Sequence, residues 1–412
     1  MQQELIPHLF RTEYRKIVSV LYKYFGFDQV ETAEDIASDT FLSAAQTWAM
    51  SRVPENPTAW LYSVAKNKAK NYLQRDHTFK SKITPGIKSD YSVGLPEEEI
   101  DLSPQNINDS QLQMMFAICH PAISVESQIG LSLRILCGFG IEEIADAFLT
   151  NKETINKRLF RAKEKLRDKN IPIEIPGASE INERLSAVLR TIYLFFSEGY
   201  YSVSQDQTLR QELCFEAIRL AEMLTENEIT NKPEVNALLA LMYFHASRFE
   251  ARTDKNGEVV LYDEQDSNLW NATLISKGAY YLHRATTGNQ LSKYHIEAAI
   301  AYWNTQKTDS KEKWENILQL YNRLLQVEYS PVAALNRTFA LSKANSTQEA
   351  IVEAEKLKLT DNHFYFMLLG ELYTGIDNEK AKHHFETALS LAKTNTERQT
   401  IMKRLTRFGM TE

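Results

Sequence analysis

The feature that most constrains this chain is a doubled helical stripe between residues 127 and 169. In residues 141–148 the apolar side chains Ile141, Ile144, Ala145 and Phe148 recur at i, i+3, i+4 and i+7, one face of a helix. After a turn at 149–151, Ile155, Leu159, Ala162 and Leu166 form a second single stripe. At about 100° per residue, Glu153, Lys157, Phe160, Arg161 and Glu164 face outward, with Lys152, Arg158 and Lys165 on the flanks. Residues 151–169 carry eight Lys/Arg against three Asp/Glu. Two packed helices with a basic second one are the plan of a helix-turn-helix, whose second helix enters the major groove of DNA. A helical hairpin with a solvated basic face satisfies the same pattern, so the rest of the chain has to decide.

With 412 residues, the chain is long enough for two or three domains, each with its own core. The net charge of −7 excludes a bulk attraction to nucleic acid, but the charge is unevenly placed. Residues 1–170 hold 21 Lys/Arg and 22 Asp/Glu, leaving 26 and 32 for residues 171–412. Any DNA binding must therefore come from local patches. Cys119, Cys137 and Cys214 lie far apart in apolar surroundings and suggest neither a disulfide framework nor a zinc site. Cys119-His120 reads as core. No metal-ligand cluster, nucleophile elbow or phosphate-cradling glycine loop is present, and 14 glycines are few for a nucleotide-binding fold. Neither an enzyme nor a cofactor is expected. The leading MQQELIPHLF lacks a basic stretch before a long apolar run, and no apolar stretch can span a bilayer. A soluble, cytoplasmic protein without membrane association is expected.

Residues 8–25 read as an amphipathic helix ending before Gly26. In VETAEDIASDTFLSAAQTWAM, Thr32 followed by Asp35 has the form of a capping box and predicts a helix start. Ala33, Ile36, Ala37, Phe41, Ala44 and Trp48 make its buried stripe, while Asp35, Ser38, Asp39, Leu42 and Gln46 face outward. An exposed leucine among carboxylates suits a basic, partly apolar partner helix, although a plain solvated acidic face gives the same pattern. A loop at 51–56 follows, where Asn56 is a good N-cap and Pro57 a good first helical residue. The next helix, TAWLYSVAKNKAKNYLQRD, interleaves Trp60, Tyr62 and Tyr72 with Lys66, Lys68, Lys70 and Arg75. Between Lys66 and Lys88 there are seven basic residues and one acidic, Asp76. Aromatics beside cations suit unstacked bases and their phosphates, while Trp60, Leu61, Val64, Ala65 and Leu73 read as core. Residues 77–110, with Pro85, Gly86, Gly94, Pro96, Pro104 and an acid run at 97–101, read as a linker. A helix then ends at His120-Pro121, and Ser124 caps the next.

AEDIASDTFLSA, PTAWLYSVAKNKAKNYLQRD and the helix-turn-helix, in this order and separation, resemble a bacterial sigma factor of the extracytoplasmic-function type, in the sigma-70 family. The resemblance implies a polymerase-binding, promoter-melting domain over residues 1–76, the linker over 77–110, and a −35-reading helix-turn-helix over 111–169. It places Asp35, Asp39 and Leu42 in the segment that docks on core RNA polymerase, with Phe41 beside them as a packing residue. Residues 51–56, with Arg52, Glu55 and Asn56, occupy the loop that captures a flipped base of the −10 element. Trp60, Lys66, Asn67, Lys70, Asn71 and Arg75 lie where contacts to single-stranded promoter DNA are expected, and Thr154, Lys157, Arg158 and Arg161 on the helix that reads −35 duplex. The residue types agree, because duplex recognition needs donors for phosphates and guanine edges.

Residues 170–178 carry two prolines and a glycine and predict a boundary, beyond which helical segments follow one another. Helices are expected at 180–196, 208–224, 232–248, 268–284, 293–304, 311–326 and 331–343, with three or four more. In YFMLLGELYTGIDNEKAKHHFETALSLA the residues Leu369, Gly370, Tyr373, Ala381, Phe385 and Ala388 fall where a tetratricopeptide motif puts its small and large packing residues. No strict period runs upstream, so the expected fold is all-α: two small helical domains, the second a helix-turn-helix, then an irregular tetratricopeptide-like solenoid over 178–412. Asn256-Gly257 before alternating apolar residues signals a hairpin turn. The cluster Asp263, Gln265, Asp266 and Trp270, with Arg248 and Arg252, either lines a pocket or ties down a loop. YLFFSEGY, LCFEAIRLAEML, NALLALMYFHASR and SPVAALNRTFAL resemble the sigma-factor subgroup with a fused C-terminal extension. This implies that the extension, through a protein or ligand partner or the first domain itself, takes over control otherwise left to a separate anti-sigma factor. That subgroup tends to have arginine after Gln-Asp, where this chain has Ser267. The alternative is a stand-alone helix-turn-helix regulator with a solenoid sensing domain.

Overall fold

The computed structural model describes residues 2–83, 100–148, 150–177, 179–201, 207–252, 260, 262–288, 291–392 and 395–408. Among these the structure is all-α, with no strand. The Asn256-Gly257 turn lies outside the described residues, as do Leu149 of the predicted turn and 84–99 of the predicted linker. The chain divides into two compact units, Met1–Leu224 and Thr225–Glu412.

The first unit opens with α1 (Gln2–Phe25), α2 (Val30–Met50) and α3 (Pro57–Ile83). α1 packs on α2 and α3 through Ile17, Leu21, Phe41 and Leu61, all buried. Gly26, at φ 67°, ends α1 as expected; a left-handed residue there suits glycine, which has no Cβ to clash. α2 starts two residues before Thr32, because a 3₁₀ turn at Phe27–Gln29 runs straight into it. Thr32 is therefore no cap, and its hydroxyl reaches Tyr72 Oη at 3.5 Å. α3 continues through 77–83 and α4 (Pro104–Ile118) begins inside the expected linker, leaving 100–103 as its described non-helical part. α5 (Val125–Leu131) runs on as a π-helical turn at Ser132–Leu136, followed by α6 (Ile141–Ala147) and α7 (Lys152–Asp168). Two more helices, α8 (Ile181–Tyr201) and α9 (Gln207–Glu226), complete the unit, so it continues past the proline-rich segment at 170–178.

The second unit is a succession of helices: α10 (Pro233–Ala246), α11 (Ala272–Ala285), α12 (Lys293–Trp303), α13 (Lys311–Val327), α14 (Pro331–Ala344), α15 (Thr347–Leu357), α16 (His363–Tyr373), α17 (Asn378–Leu391) and α18 (Asn395–Leu405). Among the described residues, six of their starts are capped by a side chain that accepts a backbone N–H: Asn271, Ser310, Ser330, Ser346, Asn362 and Asp377. Each such cap contributes about 0.5–2 kcal/mol. The predicted tetratricopeptide-like residues Leu369, Gly370 and Tyr373 on α16 and Ala381, Phe385 and Ala388 on α17 are all buried. A Cβ on Gly370 would come within 2.7 Å of the Phe385 ring, so the close approach of these helices requires glycine. The same device joins α10 to α11, where Gly278 faces Phe244.

Candidate nucleic-acid interface

Asn151 caps α7, its Oδ1 accepting the Thr154 N–H at 2.8 Å. Ile155, Leu159, Ala162 and Leu166 are all buried. Removing each of the three larger side chains from water contributes about 1.5–3 kcal/mol, which fixes the rotation of α7 and holds its other face in solvent. A Cβ on Gly130 of α5 would lie 3.0 Å from Leu159, so these two helices meet closely. Thr154, Lys157 and Arg161 are exposed, while Arg158 is half-buried with its guanidinium 5.5 Å from the Phe148 ring centroid. All four line one groove of about 450 Å³ together with Lys165. The opposite wall is Ile123, Ser124 and Ser127. Cations and hydroxyls in one groove suit phosphate oxygens and base edges. The serine wall was not anticipated; its only signal was Ser124, read as a cap, and it does accept the Ser127 N–H.

On α2, Asp35, Asp39 and Leu42 are exposed, Leu42 by 56%, while Phe41 is buried. Lys68 Nζ lies 3.9 Å from Asp39 Oδ2. In the loop to α3, Arg52, Glu55 and Asn56 are exposed, and Asn56 Oδ1 accepts the Ala59 N–H at 3.0 Å. Trp60, Asn67 and Asn71 fall on one line of α3, with Lys66 and Lys70 to one side and Arg75 to the other. Asn67, Lys70, Asn71 and Arg75 are exposed and Lys66 half-buried. Trp60 is half-buried, edge-on to Trp48 at 5.3 Å. Leu61, Ala65 and Ala69 anchor the opposite face in the core.

Polar ties across the first unit join elements far apart in sequence. Lys163 Nζ lies 2.6 Å from Glu34 Oε1, which also accepts the Tyr22 hydroxyl at 2.8 Å. Burial and the Glu34 carboxylate push the Tyr22 phenol well above its ordinary range. Arg15 on α1 donates to both oxygens of Glu216 on α9 at 2.7 Å. Arg219 donates to Glu216 at 2.8 Å and to the Leu136 carbonyl at 2.6 Å. Burial opposes the Glu216 charge, yet Arg219 and Arg15 hold its carboxyl below the usual range. Thr191 on α8 donates to Gln128 Oε1 at 2.7 Å. The three cysteines are buried and unbridged, and burial pushes the Cys119 thiol up to about 12. Among the described residues no group of His, Cys, Asp and Glu could hold a metal ion, and no helix is long and apolar enough to cross a membrane.

Residues 9–78 match the model of sigma-70 region 2, and residues 184–286 match a family of unknown function, DUF6596. An uncharacterised protein of Rhizobium meliloti (strain 1021) is 32% identical over 384 residues, which is 92% of this chain and 90% of that protein. The ECF RNA polymerase sigma-E factor of Haemophilus influenzae is 26% identical over 161 residues, 38% of this chain and 83% of that protein. The RNA polymerase sigma factor YlaC of Bacillus subtilis is 27% identical over 165 residues, 40% of this chain and 91% of that protein. No solved structure matches the chain. The chain belongs to the extracytoplasmic-function sigma factors of the sigma-70 family, in the subgroup with a fused helical C-terminal extension.

Proposed function

We propose that this sigma factor docks on core RNA polymerase through Asp35, Asp39 and Leu42 and helps to open the −10 region through 51–56 and the exposed line of α3. It reads the −35 element through the groove of α7, and its C-terminal helices restrain the two DNA-reading parts until polymerase engages. The observation that carries promoter reading is the single groove that gathers Thr154, Lys157, Arg158 and Arg161. The restraint is supported by two contacts from α9, Glu216 to Arg15 of α1 and Arg219 to the Leu136 carbonyl, while Lys163 and Glu34 tie the two DNA-reading parts to each other. Elements about 25 base pairs apart are separated by roughly 85 Å at about 3.4 Å per pair. α7 has 17 residues and α3 has 27, about 26 Å and about 40 Å of helix. With α7 held on α2, both elements are out of simultaneous reach, and initiation requires these ties to open. No enzymatic step is assigned to the chain itself.

The test is run-off transcription with purified core polymerase and full-length protein, on a promoter found by pull-down sequencing. The wild-type chain should support initiation, and Glu216→Ala should raise the initial yield while the melting curve stays cooperative. Absence of both core binding and transcript would sink the sigma reading and favour a stand-alone regulator. Transcript unchanged by Glu216→Ala would remove the restraint alone.

A further inference from the structure

Arg248, just beyond the end of α10, is 8% exposed, and its guanidinium lies 5.3 Å from the Tyr262 ring centroid. Its Nε is buried without an acceptor, and its guanidinium makes no hydrogen bond or ion pair among the described residues. Arginine keeps its charge at any ordinary pH. Desolvating an unpaired charge costs several kcal/mol, whereas stacking on one tyrosine returns about 0.5–2 kcal/mol. An anionic group against the guanidinium would improve that balance.

The surroundings are set for such a group. The Asn271 N–H donates to the Ser247 carbonyl at 2.8 Å, which joins the two segments that carry Trp270 and Arg248. Trp270 stacks on the same Tyr262, at 6.3 Å and 26°, and its Nε1 is also buried without an acceptor. Gln265 donates through its amide nitrogen to the Val260 carbonyl at 3.3 Å, while its Oε1 is buried and unbonded. Tyr262 is itself fixed: its hydroxyl donates to the Asn304 carbonyl at 3.0 Å and accepts from buried Lys313 at 2.8 Å. Of the described acids nearby in sequence, Glu250 is exposed, Glu264 is paired with Arg404 at 2.9 Å, and Asp266 is exposed and engaged as the cap of a 3₁₀ turn, accepting the Asn268 N–H at 2.9 Å; the Asp263 side chain lies outside the described residues. Burial above all, and then Arg248 and Arg252, drives His245 well below its usual range.

We infer that Arg248 and Trp270 form, against the Tyr262 ring, a binding site for a small molecule bearing a carboxylate or phosphate group. The guanidinium and the indole N–H donate to its oxygens, and Gln265 Oε1 accepts from a hydroxyl or amine on the remainder. The site lies within the 184–286 segment whose family has no known function, and binding there does not depend on the sigma reading.

Thermal melting of the full-length protein tests this, with sodium phosphate and sodium succinate as probes against chloride at equal ionic strength. One probe should raise the melting temperature beyond chloride, phosphate and succinate separating the two sources of the anion. Trp270→Phe, which removes the indole N–H together with its five-membered ring but keeps an aromatic ring against Tyr262, should weaken the apparent affinity at least about tenfold, the value of one hydrogen bond to a charged group. Arg248→Met should lose the response while melting no lower than wild type without anion, since it removes an uncompensated charge. No shift with either probe, or equal shifts in wild type and both variants, would overturn the site.

Discussion

Lys163 on the inner flank of α7 and Glu34 on α2 meet at 2.6 Å, with side chains only 17% and 20% exposed. Glu34 stands next to the exposed Asp35, so the helix proposed to read −35 duplex is tied to the helix proposed to dock on polymerase. A pair this buried lies between surface bridges worth under 1 kcal/mol and fully buried ones whose rupture costs about 3–5 kcal/mol. A double-mutant cycle of Lys163→Ala and Glu34→Ala by urea unfolding should give a coupling of about 1–3 kcal/mol. A coupling near zero would show that the contact does not hold the helices together.

Lys157 and Arg161 are exposed on the groove face and clear of the buried stripe of α7. Replacing both with alanine should leave stability within about 0.5 kcal/mol and weaken promoter binding by the polymerase complex. If each contacts one phosphate, the slope of log affinity against log salt should fall by about 1.8. Footprints and slope unchanged from wild type would remove these residues from the interface.

Leu42 is exposed by 56% in an acidic setting. Leu42→Ala deletes no core contact, so folding should be unchanged within about 0.5 kcal/mol. Affinity for core polymerase should fall at least several-fold, as read by a pull-down titration. Undiminished binding would mean that this face is merely solvated.

What was legible in the sequence was what periodicity governs. The stripes Ile155 to Leu166 and Ala33 to Trp48 are set by the 3.6-residue repeat, and both are buried as read. Gly370 and Phe385 were legible as a small–large pair, whereas Gly278 and Phe244 make the same contact without a recognisable repeat around them. The start of α2 was misread because Thr32 looks like a cap locally, while its hydroxyl goes to Tyr72, 40 residues away. Lys163–Glu34 and Arg15–Glu216 span 129 and 201 residues, and no local pattern encodes which charges will meet. The groove was half legible: its cationic wall follows from α7, but its serine wall needs the packing of α5.

Gly370→Ala places a methyl group 2.7 Å from the Phe385 ring, which is itself fully buried. The ring has no free space to turn into, and overpacking of this kind costs about 1–3 kcal/mol. The unfolding transition of the second unit should move down while that of the first stays in place. An unshifted transition would mean that α16 and α17 separate freely.

Glu216 supplies the pH dependence of the first unit. Burial alone would favour its neutral form, but Arg219 and Arg15 lower its folded value below that of the free side chain. A group of this sign contributes its full stabilisation above the unfolded value of about 4.3 and loses it as pH falls through the lower folded value. The wild-type first unit should therefore lose stability as pH drops below about 4.3, more steeply than Glu216→Gln. The substitution should cost stability at pH 7, and the two curves should converge in acid. Parallel melting curves across that range would show that the Arg15–Glu216–Arg219 contact carries no ionic stabilisation, and with it would go one support for the proposed restraint by α9.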